Sequence, residues 1–392
     1  MRVLMTGGGT GGHVNPALAI AETIKKNIPE AEIAFVGTKR GLENTLVPRA
    51  GYKLYHVDVR GFERKVFSIR NIRAAFLALV SPLFAKRIVK EFRPDIVIGT
   101  GGYVSWPVLV AASKLGVLTA VHESNAVPGL TVRKLVPYVD RIFTNFSVTA
   151  SALGVNAEDK IMQVGCPVSS EIGKISKAEA RKRLGIGPET KYYVVSFGGS
   201  LGARTLNNSA LELMEKYVSI HPEVRYLHAS GSGNYDEVAD EFYLSGLDRC
   251  ENIELTKYIY DMPLRIAAAD LVICRSGAIT CSELSRAHKA SILIPSPNVT
   301  DNQQYKNAKV LSDCGGALLI EEDELEPGRI AKAVETLLTS PGMTDEMGKR
   351  VSTVSPADAN ERIFREICMM IYRRQMSEDG SDNNGADGKQ TH

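Results

Sequence analysis

Residues 3–13 have the sequence VLMTGGGTGGH, in which a short apolar run passes directly into a glycine-rich loop. Pro16 follows at a position that the first turn of a helix tolerates. The apolar residues after it recur with the period of a helix: Ala17, Ile20, Ala21 and Ile24. A strand, a tight loop and an amphipathic helix in this order are typical of the units that build parallel α/β sheets.

The same pattern recurs along the chain. Further apolar runs that predict strands lie at residues 33–36, 96–98, 193–197, 271–274 and 292–294. Two of them open into glycine-rich loops, Gly99–Tyr103 and Gly198–Ala203. The pattern starts again after Gly165-Cys166-Pro167. The sequence therefore predicts two doubly wound α/β domains that meet near residue 166, with a cleft between them.

The predicted domain boundaries follow from these repeats. We expect an N-terminal domain over residues 1–165 and a C-terminal domain over residues 166–355. A helical segment at residues 356–375 is expected to return to the first domain. Residues 376–392 are polar and almost without apolar side chains, which is typical of a disordered tail.

Composition and charge restrict the class of protein. The 392 residues include 47 Lys and Arg against 45 Asp and Glu, and 44% are hydrophobic, as in globular proteins. A net charge of +2 argues against a nucleic-acid partner, because nucleic-acid-binding domains carry a large basic excess. The charge is nevertheless uneven, with 21 basic and 12 acidic side chains in residues 1–165 and 26 and 33 in the remainder.

The cysteines and the hydropathy pattern exclude several further classes. The six cysteines are scattered without a C-x-x-C pair, so we expect neither a disulfide framework nor a metal site, and a reducing cytoplasm is indicated. No run approaches the ~18–20 apolar residues of a membrane span. The glycine loop follows the N-terminus too closely for a signal peptide.

The glycine-rich loops point to phosphate groups. Gly7, Gly9 and Gly12 satisfy the G-x-G-x-x-G pattern, but no carboxylate ends the second strand at Val36-Gly37-Thr38, which disfavours a dinucleotide cofactor. A Walker-type lysine is also missing, which disfavours nucleotide hydrolysis. Loops that expose backbone N–H groups at helix N-termini can bind phosphates without a metal. The alternative is that the glycines only permit tight turns.

Six ordered motifs resemble those of a known family. They are Gly8-Gly9-Thr10-Gly11-Gly12-His13, Gly101-Gly102-Tyr103-Val104-Ser105, His122-Glu123-Ser124-Asn125, Gly198-Gly199-Ser200-Leu201-Gly202-Ala203, Arg275-Ser276-Gly277-Ala278 and Asp301-Asn302-Gln303-Gln304-Tyr305. Together they resemble the MurG family of bacterial cell-wall glycosyltransferases, over about residues 1–372. The resemblance implies a GT-B fold with two Rossmann-like domains. It also implies inverting transfer of N-acetylglucosamine from UDP-N-acetylglucosamine to the muramyl sugar of undecaprenyl-linked lipid I, with no cofactor.

His13 is the predicted catalytic residue. The positive end of a helix dipole disfavours the imidazolium, which leaves a neutral ring able to take a proton from an attacking hydroxyl. The alternative is a histidine that only hydrogen-bonds to the backbone or to a diphosphate. The resemblance implies that Thr10, Gly11 and Gly12 of the same loop bind substrate.

The resemblance assigns donor contacts to the second half. Glu283 is expected to accept the ribose hydroxyls, although Thr280-x-x-Glu283 also fits a helix capping box. The backbone of Ile259 is expected to contact uracil, although its side chain could belong to the core. Gln303, Gln304 and Asn125 are expected to contact the sugar, with a solvated helix start as the alternative for the glutamines. The diphosphate and nucleoside contacts are expected at Ser200 and at Ala278, Ile279, Thr280, Cys281 and Ser282.

Three positions depart from the family pattern. Ser169 lies where an arginine near the nucleotide is usual, and Leu201 replaces a common glutamine in the third loop. Trp106 replaces a glycine before Pro107, where it could narrow the acceptor site or touch lipid.

A basic segment predicts a membrane-facing surface on the N-terminal half. Nine basic and two acidic residues lie between Arg60 and Arg93. Two apolar faces run through it: Ile72, Phe76, Leu79 and Leu83 on one, and Leu77, Val80, Phe84 and Ile88 on the other. We expect one face to pack on the domain and the other to meet an anionic membrane surface. The alternative is a buried helix pair around Ser81-Pro82.

Three other functions remain as alternatives at this point. They are a GT-B enzyme with a different acceptor, such as a diacylglycerol glucosyltransferase, a UDP-N-acetylglucosamine 2-epimerase, and a non-catalytic membrane adaptor. The glucosyltransferases lack the Gln303-Gln304 and His122–Asn125 signatures in this arrangement. An epimerase would need carboxylates placed for elimination. The presence of His13, Glu283 and Gln303 in one chain argues against an adaptor.

Overall fold

A computed structural model describes residues 1–59, 69–154 and 159–383. The chain forms two compact units. The first unit comprises Met1–Val168 and the segment from Asp358 onward, and the second comprises Ser169–Ala357.

The first unit contains a parallel sheet in which every described strand runs in the same direction. Its strands are Arg2–Thr6 (β1), Glu32–Gly37 (β2), Lys53–His56 (β3), Ile96–Gly99 (β4), Leu118–Glu123 (β5), Arg141–Thr144 (β6) and Ile161–Gln163 (β7). Their order across the sheet is β3-β2-β1-β4-β5-β6-β7. The helices between them are Gly11–Asn27 (α1), Glu43–Arg49 (α2), Ile69–Phe92 (α3), Ser105–Lys114 (α4), Leu130–Leu135 (α5) and Val148–Leu153 (α6).

The second unit repeats this arrangement. Its strands are Tyr192–Phe197 (β8), Val224–Ala229 (β9), Ile253–Thr256 (β10), Leu271–Cys274 (β11), Ala290–Leu293 (β12) and Ala317–Leu319 (β13), in the order β10-β9-β8-β11-β12-β13. Its helices are Lys177–Arg183 (α7), Arg204–Lys216 (α8), Tyr235–Leu244 (α9), Met262–Ala268 (α10), Ala278–Arg286 (α11), Gln303–Asp313 (α12), Arg329–Thr339 (α13) and Met343–Val351 (α14).

The strand order of each sheet reverses once, and this reversal places the candidate site. Chain connections leave in opposite directions from β1 and β4 in the first unit, and from β8 and β11 in the second. A crevice opens at such a point beyond the carboxyl ends of the strands, where α/β proteins bind their ligands. The predicted architecture of two doubly wound parallel sheets is confirmed.

The last helix, Ala359–Asn383 (α15), completes the core of the first unit. Its buried residues Ile363, Ile367 and Met370 pack into the apolar cluster formed by β1, α1 and β2. Glu366 forms a 2.6 Å ion pair with Arg141 at the start of β6. The predicted tail is wrong for residues 376–383, because the helix continues through them. Extending an existing helix avoids the cost of nucleation, so even a polar segment can continue it.

The basic segment forms one helix in its described part. Helix α3 runs through Pro82, so the predicted alternative of a helix pair around Ser81-Pro82 is wrong. Among the side chains of α3 that the structure describes, those that face the core are Ser81, Ala85, Val89 and Phe92. Both Leu83 and Phe84 are exposed, although they were assigned to different apolar faces.

Part of the predicted membrane-facing segment lies outside the residues that the structure describes. Residues 60–68 lie outside the described part of the chain, and for Arg70, Ile72, Arg73, Phe76, Leu77 and Leu79 only the helical backbone is described. Across the residues that the structure does describe, no helix has the length and apolar character needed to cross a bilayer.

We predict that the packing of α15 contributes strongly to the stability of the first unit. Ile367→Ala should lower the free energy of unfolding by about 2–5 kcal/mol, because it leaves a cavity at a fully buried position. Met369→Ala, at a half-exposed position of the same helix, should change it by no more than about 0.5 kcal/mol. Trp106 is the only tryptophan and lies in the first unit, so its fluorescence during urea denaturation measures this unfolding. Equal effects of the two substitutions would contradict the prediction.

Candidate active site

Two glycine-rich loops meet at the crevice of the first unit. The loop after β1 contains Gly8 and leads to His13, and the loop after β4 contains Gly101 and Gly102. Gly101 and Gly102 have φ angles of 99° and 76°, which side chains other than glycine rarely adopt. A Cβ on Gly101 would lie 2.7 Å from Nδ1 of His13, and one on Gly102 would lie 2.5 Å from the Gly8 carbonyl oxygen. The glycines therefore permit a backbone approach that no other residue would allow.

This approach fixes the orientation and the protonation of His13. The Nδ1 atom lies 3.0 Å from the carbonyl oxygen of Thr100, and the Thr100 hydroxyl donates to the His13 carbonyl oxygen at 2.6 Å. Because a carbonyl can only accept, Nδ1 carries the proton, and Nε2 of the neutral ring keeps its lone pair. Burial lowers the pKa of His13 below its usual value, against the opposing effects of Glu123, the Thr100 carbonyl and Glu43. His13 is thus a half-buried, neutral histidine that can accept a proton.

The first turn of α1 offers additional hydrogen-bond donors. The helix begins at Gly11, directly after the exposed Thr10, which forms no side-chain cap. The N–H groups of Gly11 and Gly12 therefore have no acceptor within the helix, and the first turn contains no acidic residue. This arrangement favours the binding of an anion.

Glu43 supports the first loop from behind and was missed in the sequence analysis. Its fully buried carboxylate accepts hydrogen bonds from the N–H of Gly9 at 2.9 Å and from the N–H and hydroxyl of Thr38, both at 2.8 Å. Burial alone would raise the pKa of Glu43, but these donors hold it below its usual value. The signal in the sequence was the group of Gly8, Gly37 and Gly41, because a Cβ on any of them would collide with the Glu43 side chain.

Asn125 follows β5 and is held by a second buried carboxylate, that of Glu123 at the end of this strand. Glu123 accepts the N–H and the side-chain amide of Asn125, both at 2.9 Å, and the N–H of Gly129 at 2.8 Å. Asn125 and His13 thus follow β5 and β1 at the same edge of the sheet, with β4 between these two strands. Trp106 packs edge-to-face on Tyr138, with ring centroids 5.5 Å apart, and is partly buried against the core of the unit.

The third glycine-rich loop, after β8, is fixed by the segment that follows β9. The N–H and hydroxyl of Ser232 both donate to the carbonyl oxygen of Ser200 at 3.0 Å. Gly202 has a φ angle of 88°, and a Cβ there would overlap the carbonyl oxygen of Ser230. The side chains of Ser200 and Leu201 are exposed.

A buried chain of polar side chains supports Ser230 in turn. Asn207 donates its amide to the Ser230 carbonyl at 3.0 Å, so its oxygen accepts from Nε2 of His228 at 3.1 Å. Nδ1 of His228 then accepts from the Ser196 hydroxyl at 2.7 Å, and Ser196 accepts from Tyr226 at 2.6 Å. Burial lowers the pKa of His228 to about 3, so this histidine is neutral and structural.

Helix α11 begins differently from the predicted alternative for Glu283. Gly277 is the residue before the helix and Ala278 the first within it, so Thr280 and Glu283 do not form a capping box and that alternative is wrong. The half-buried carboxyl of Glu283 has no hydrogen-bond partner among the described side chains. Burial raises its pKa to about 7.

The first turn of α11 contains the remaining predicted residues of this segment. The Ala278, Ile279 and Thr280 N–H groups lie at the start of the helix. The Cys281 N–H donates to the Gly277 carbonyl oxygen at 2.9 Å, and the Ser282 hydroxyl donates to the Ala278 carbonyl oxygen at 2.9 Å. This turn follows β11 at the crevice of the second unit.

The two glutamines differ in their environment. Gln304 accepts the N–H of Ser296 at 2.8 Å through its side chain, and its carbonyl oxygen accepts from the Ser276 hydroxyl at 2.8 Å. Within the described chain, no hydrogen bond of the Gln303 side chain is found. Both residues follow Asp301 and Asn302, which have the left-handed φ angles of 53° and 51°. Such strained backbone is common at binding sites.

Ile259 lies before α10 with its side chain buried, as the core alternative for that side chain predicted. No hydrogen bond of the described residues uses its backbone N–H or carbonyl group. Ser169 is exposed and accepts the N–H of Glu171 at 3.3 Å.

Comparison with known proteins identifies the family. Residues 3–144 match the glycosyltransferase family 28 N-terminal domain, and residues 193–363 match the glycosyltransferase family 28 C-terminal domain. A protein of Acetivibrio thermocellus is 41% identical over 94% of this chain and 97% of its own length. A protein of Caldanaerobacter subterraneus is 39% identical over 94% of this chain and 99% of its own length. Both are named UDP-N-acetylglucosamine--N-acetylmuramyl-(pentapeptide) pyrophosphoryl-undecaprenol N-acetylglucosamine transferase.

A solved structure gives the same result. The crystal structure of Acinetobacter baumannii MurG superposes with a TM-score of 0.74 over 94% of this chain and 99% of that chain, at 25% sequence identity. The predicted GT-B class with two Rossmann-like domains is confirmed by this likeness and by the two parallel sheets. The resemblance of the sequence motifs to the MurG family is confirmed as well. The chain therefore belongs to glycosyltransferase family 28 and, within it, to the MurG family.

Proposed function

We propose that this chain transfers N-acetylglucosamine from UDP-N-acetylglucosamine to the 4-hydroxyl of the muramyl sugar of undecaprenyl-pyrophosphoryl-N-acetylmuramoyl-pentapeptide. The reaction converts lipid I to lipid II in peptidoglycan synthesis and inverts the anomeric centre. The observation that carries the proposal is the identity of 41% over 94% of the chain with a relative of that name. The geometry of His13 gives the transfer a chemical basis.

His13 acts as the general base. As the acceptor oxygen attacks the anomeric carbon, Nε2 takes the hydroxyl proton, while the bond from that carbon to UDP breaks and UDP leaves with the electron pair. The Nδ1 contact with Thr100 holds the ring in the tautomer that this step requires. Thr10 and the free N–H groups of Gly11 and Gly12 bind the acceptor, whose pyrophosphate suits the start of α1.

The second unit binds the donor. The carboxylate of Glu283 accepts hydrogen bonds from the ribose hydroxyls. The backbone N–H and carbonyl groups of Ile259 form hydrogen bonds with the uracil ring. The diphosphate lies at the starts of α8 and α11, near Ser200 and the turn from Ala278 to Ser282, where helix dipoles stabilise the leaving UDP. Gln303 contacts the sugar directly, and Gln304 mainly positions the loop. Asn125 contributes a further contact to the sugar.

We propose in addition that α3 docks this enzyme on the cytoplasmic face of the bacterial cell membrane. Leu83 and Phe84 are 69% and 62% exposed, so two adjacent large apolar side chains lie at the surface of this helix. Lys86, Arg87 and Lys90 are exposed on the next turns of the same helix. Apolar side chains beside cations favour an interface with anionic lipids. A polyprenyl-linked acceptor resides in such a membrane.

The function is tested with labelled UDP-N-acetylglucosamine and a soluble lipid I analogue. We expect release of UDP that depends on the acceptor. His13→Ala should lower kcat by about 10²–10⁴-fold, because a general base contributes that much, while the Kd for the donor is unchanged. His221→Ala, in the second unit, serves as a control and should leave kcat unchanged. Epimerisation of the donor without an acceptor would overturn the function, and near-normal turnover by His13→Ala would overturn the role of His13.

The affinity for the donor should depend on pH through Glu283. Burial raises its pKa to about 7, so the carboxyl is mostly protonated at pH 6 and mostly ionised at pH 8. Ribose hydroxyls donate to the ionised form, so UDP-N-acetylglucosamine should bind about tenfold more weakly at pH 6 than at pH 8. Isothermal titration calorimetry measures this dependence. In Glu283→Gln the affinity should be lower and independent of pH, and a wild-type affinity that is constant over this range would rule the role out.

Membrane docking is tested with vesicles that contain phosphatidylglycerol. Replacing Leu83 and Phe84 together by serine should weaken vesicle binding at least about tenfold, because two buried apolar side chains are lost. The matched control is the replacement of Tyr243 and Leu244, which are also adjacent and exposed but lie on the acidic helix α9. That control should bind as the wild type does. Equal binding by the Leu83 and Phe84 variant would contradict the docking surface.

A further inference from the structure

The buried carboxylate of Glu43 has no direct part in the reaction described above, yet it contacts the loop on which that reaction depends. Its two oxygens receive three donors from two different loops. One donor, the N–H of Gly9, lies four residues before His13 in the loop after β1, and the others belong to Thr38, after β2. Glu43 therefore ties the loop after β1 to the neighbouring strand connection.

The shape of the surrounding chain is adapted to a carboxylate at this point. A Cβ on Gly8 would lie 2.6 Å from the Glu43 Oε1 atom, and a Cβ on Gly41 would overlap the Oε2 atom. A glutamine cannot accept all three hydrogen bonds. Its NH₂ group would face the N–H of either Gly9 or Thr38, and two donors cannot form a hydrogen bond with each other. The pocket thus accepts the size of Glu43 and requires its two acceptor oxygens.

The charge of Glu43 also reaches His13. The groups that act on the imidazole are the carboxylates of Glu123 and Glu43 and the carbonyl of Thr100, and all three favour the protonated ring against the effect of burial. Tyr103 is a further titratable side chain that borders this loop, 3.9 Å from where a Cβ on Gly9 would lie. The two carboxylates therefore oppose the effect of burial on this histidine.

We propose that Glu43 is a positioning residue for the transfer reaction, which sets the conformation of the first glycine-rich loop and the basicity of His13 without touching substrate. The mechanistic part of this inference rests on the proposed function. The geometric part concerns only the loop and the imidazole ring, and can be measured without any substrate.

Two substitutions separate the effect of Glu43 on the conformation of the loop from its effect on the basicity of His13. Glu43→Gln preserves size but removes the charge and one acceptor, whereas Glu43→Asp preserves the charge but shortens the reach to Gly9. Both should lower kcat at least about tenfold, because a hydrogen bond to a buried charge is lost. Removing the charge removes one influence that favours imidazolium. In Glu43→Gln the acidic limb of the kcat profile should therefore move to lower pH, whereas in Glu43→Asp it should stay close to that of the wild type.

A second variant leaves Glu43 in place. Gly41 has no left-handed φ angle, so an alanine there is strained only by its overlap with the Glu43 carboxylate. Gly41→Ala should displace the carboxylate and lower kcat as Glu43→Asp does. The control is Asp140→Asn, since the exposed Asp140 also accepts the N–H and the hydroxyl of a threonine, Thr119, both at 2.8 Å, but before β6, at the opposite end of the strands from His13. This control should leave kcat and its pH profile unchanged.

The decisive measurement is the titration of His13 by NMR in enzyme with ¹³C-labelled histidines, with the His13 signal assigned by its loss in His13→Gln. The midpoint should be lower in Glu43→Gln than in the wild type and unchanged in Asp140→Asn. Trp106 fluorescence verifies that the first unit is folded in each variant. A His13 midpoint that Glu43→Gln does not move, or a kcat equal to that of the wild type, would overturn the proposal. If the wild type fails to use a lipid I analogue, the proposed function fails, while the NMR titration still tests the effect on His13.

Discussion

The site of the first unit depends on one constraint, which is the close approach of two backbone loops around an imidazole ring. Gly101 and Gly102 allow the loop after β4 to lie against His13 and Gly8 at distances that a side chain would forbid. The contact places the Thr100 carbonyl against Nδ1 and so determines which nitrogen of His13 is basic. The sheet contributes by ending β1 and β4 side by side, where its strand order reverses.

The second unit satisfies a similar constraint by different chemistry. Gly202 permits the third loop to lie against the carbonyl of Ser230, much as Gly102 does against Gly8. Behind the first loop lies a charged carboxylate, Glu43, whereas the carbonyl that supports the third loop is held by the neutral chain through Asn207 and His228. A proton acceptor benefits from a nearby negative charge, so the carboxylate behind the first loop agrees with the role proposed for His13.

The sequence was sufficient to predict the two parallel sheets and the glycine-rich loops at their crevices, because both follow from local patterns. An apolar run that ends in glycines predicts a buried strand with a tight loop at the carboxyl edge of a parallel sheet. Contacts that depend on distant parts of the chain could not be derived in this way. Glu43 reaches the first loop from another strand connection, and the capping alternative for Glu283 could be rejected only once the start of α11 was known. The core side of the described part of α3 was not predicted, because it includes the small residues Ser81 and Ala85, which apolar periodicity does not reveal.

The position of α15 has a consequence for biosynthesis. The first unit consists of two segments that are separated in the chain by the whole of the second unit, and the later one supplies Ile363 and Ile367 to its core. A ribosome releases these residues only after the whole of the second unit has been synthesised. The synthesis of the first unit therefore begins before that of the second unit and is completed after it. A truncated product that ends before α15 would expose the apolar surface that this helix covers. We expect chaperones to bind such a product and proteases to degrade it.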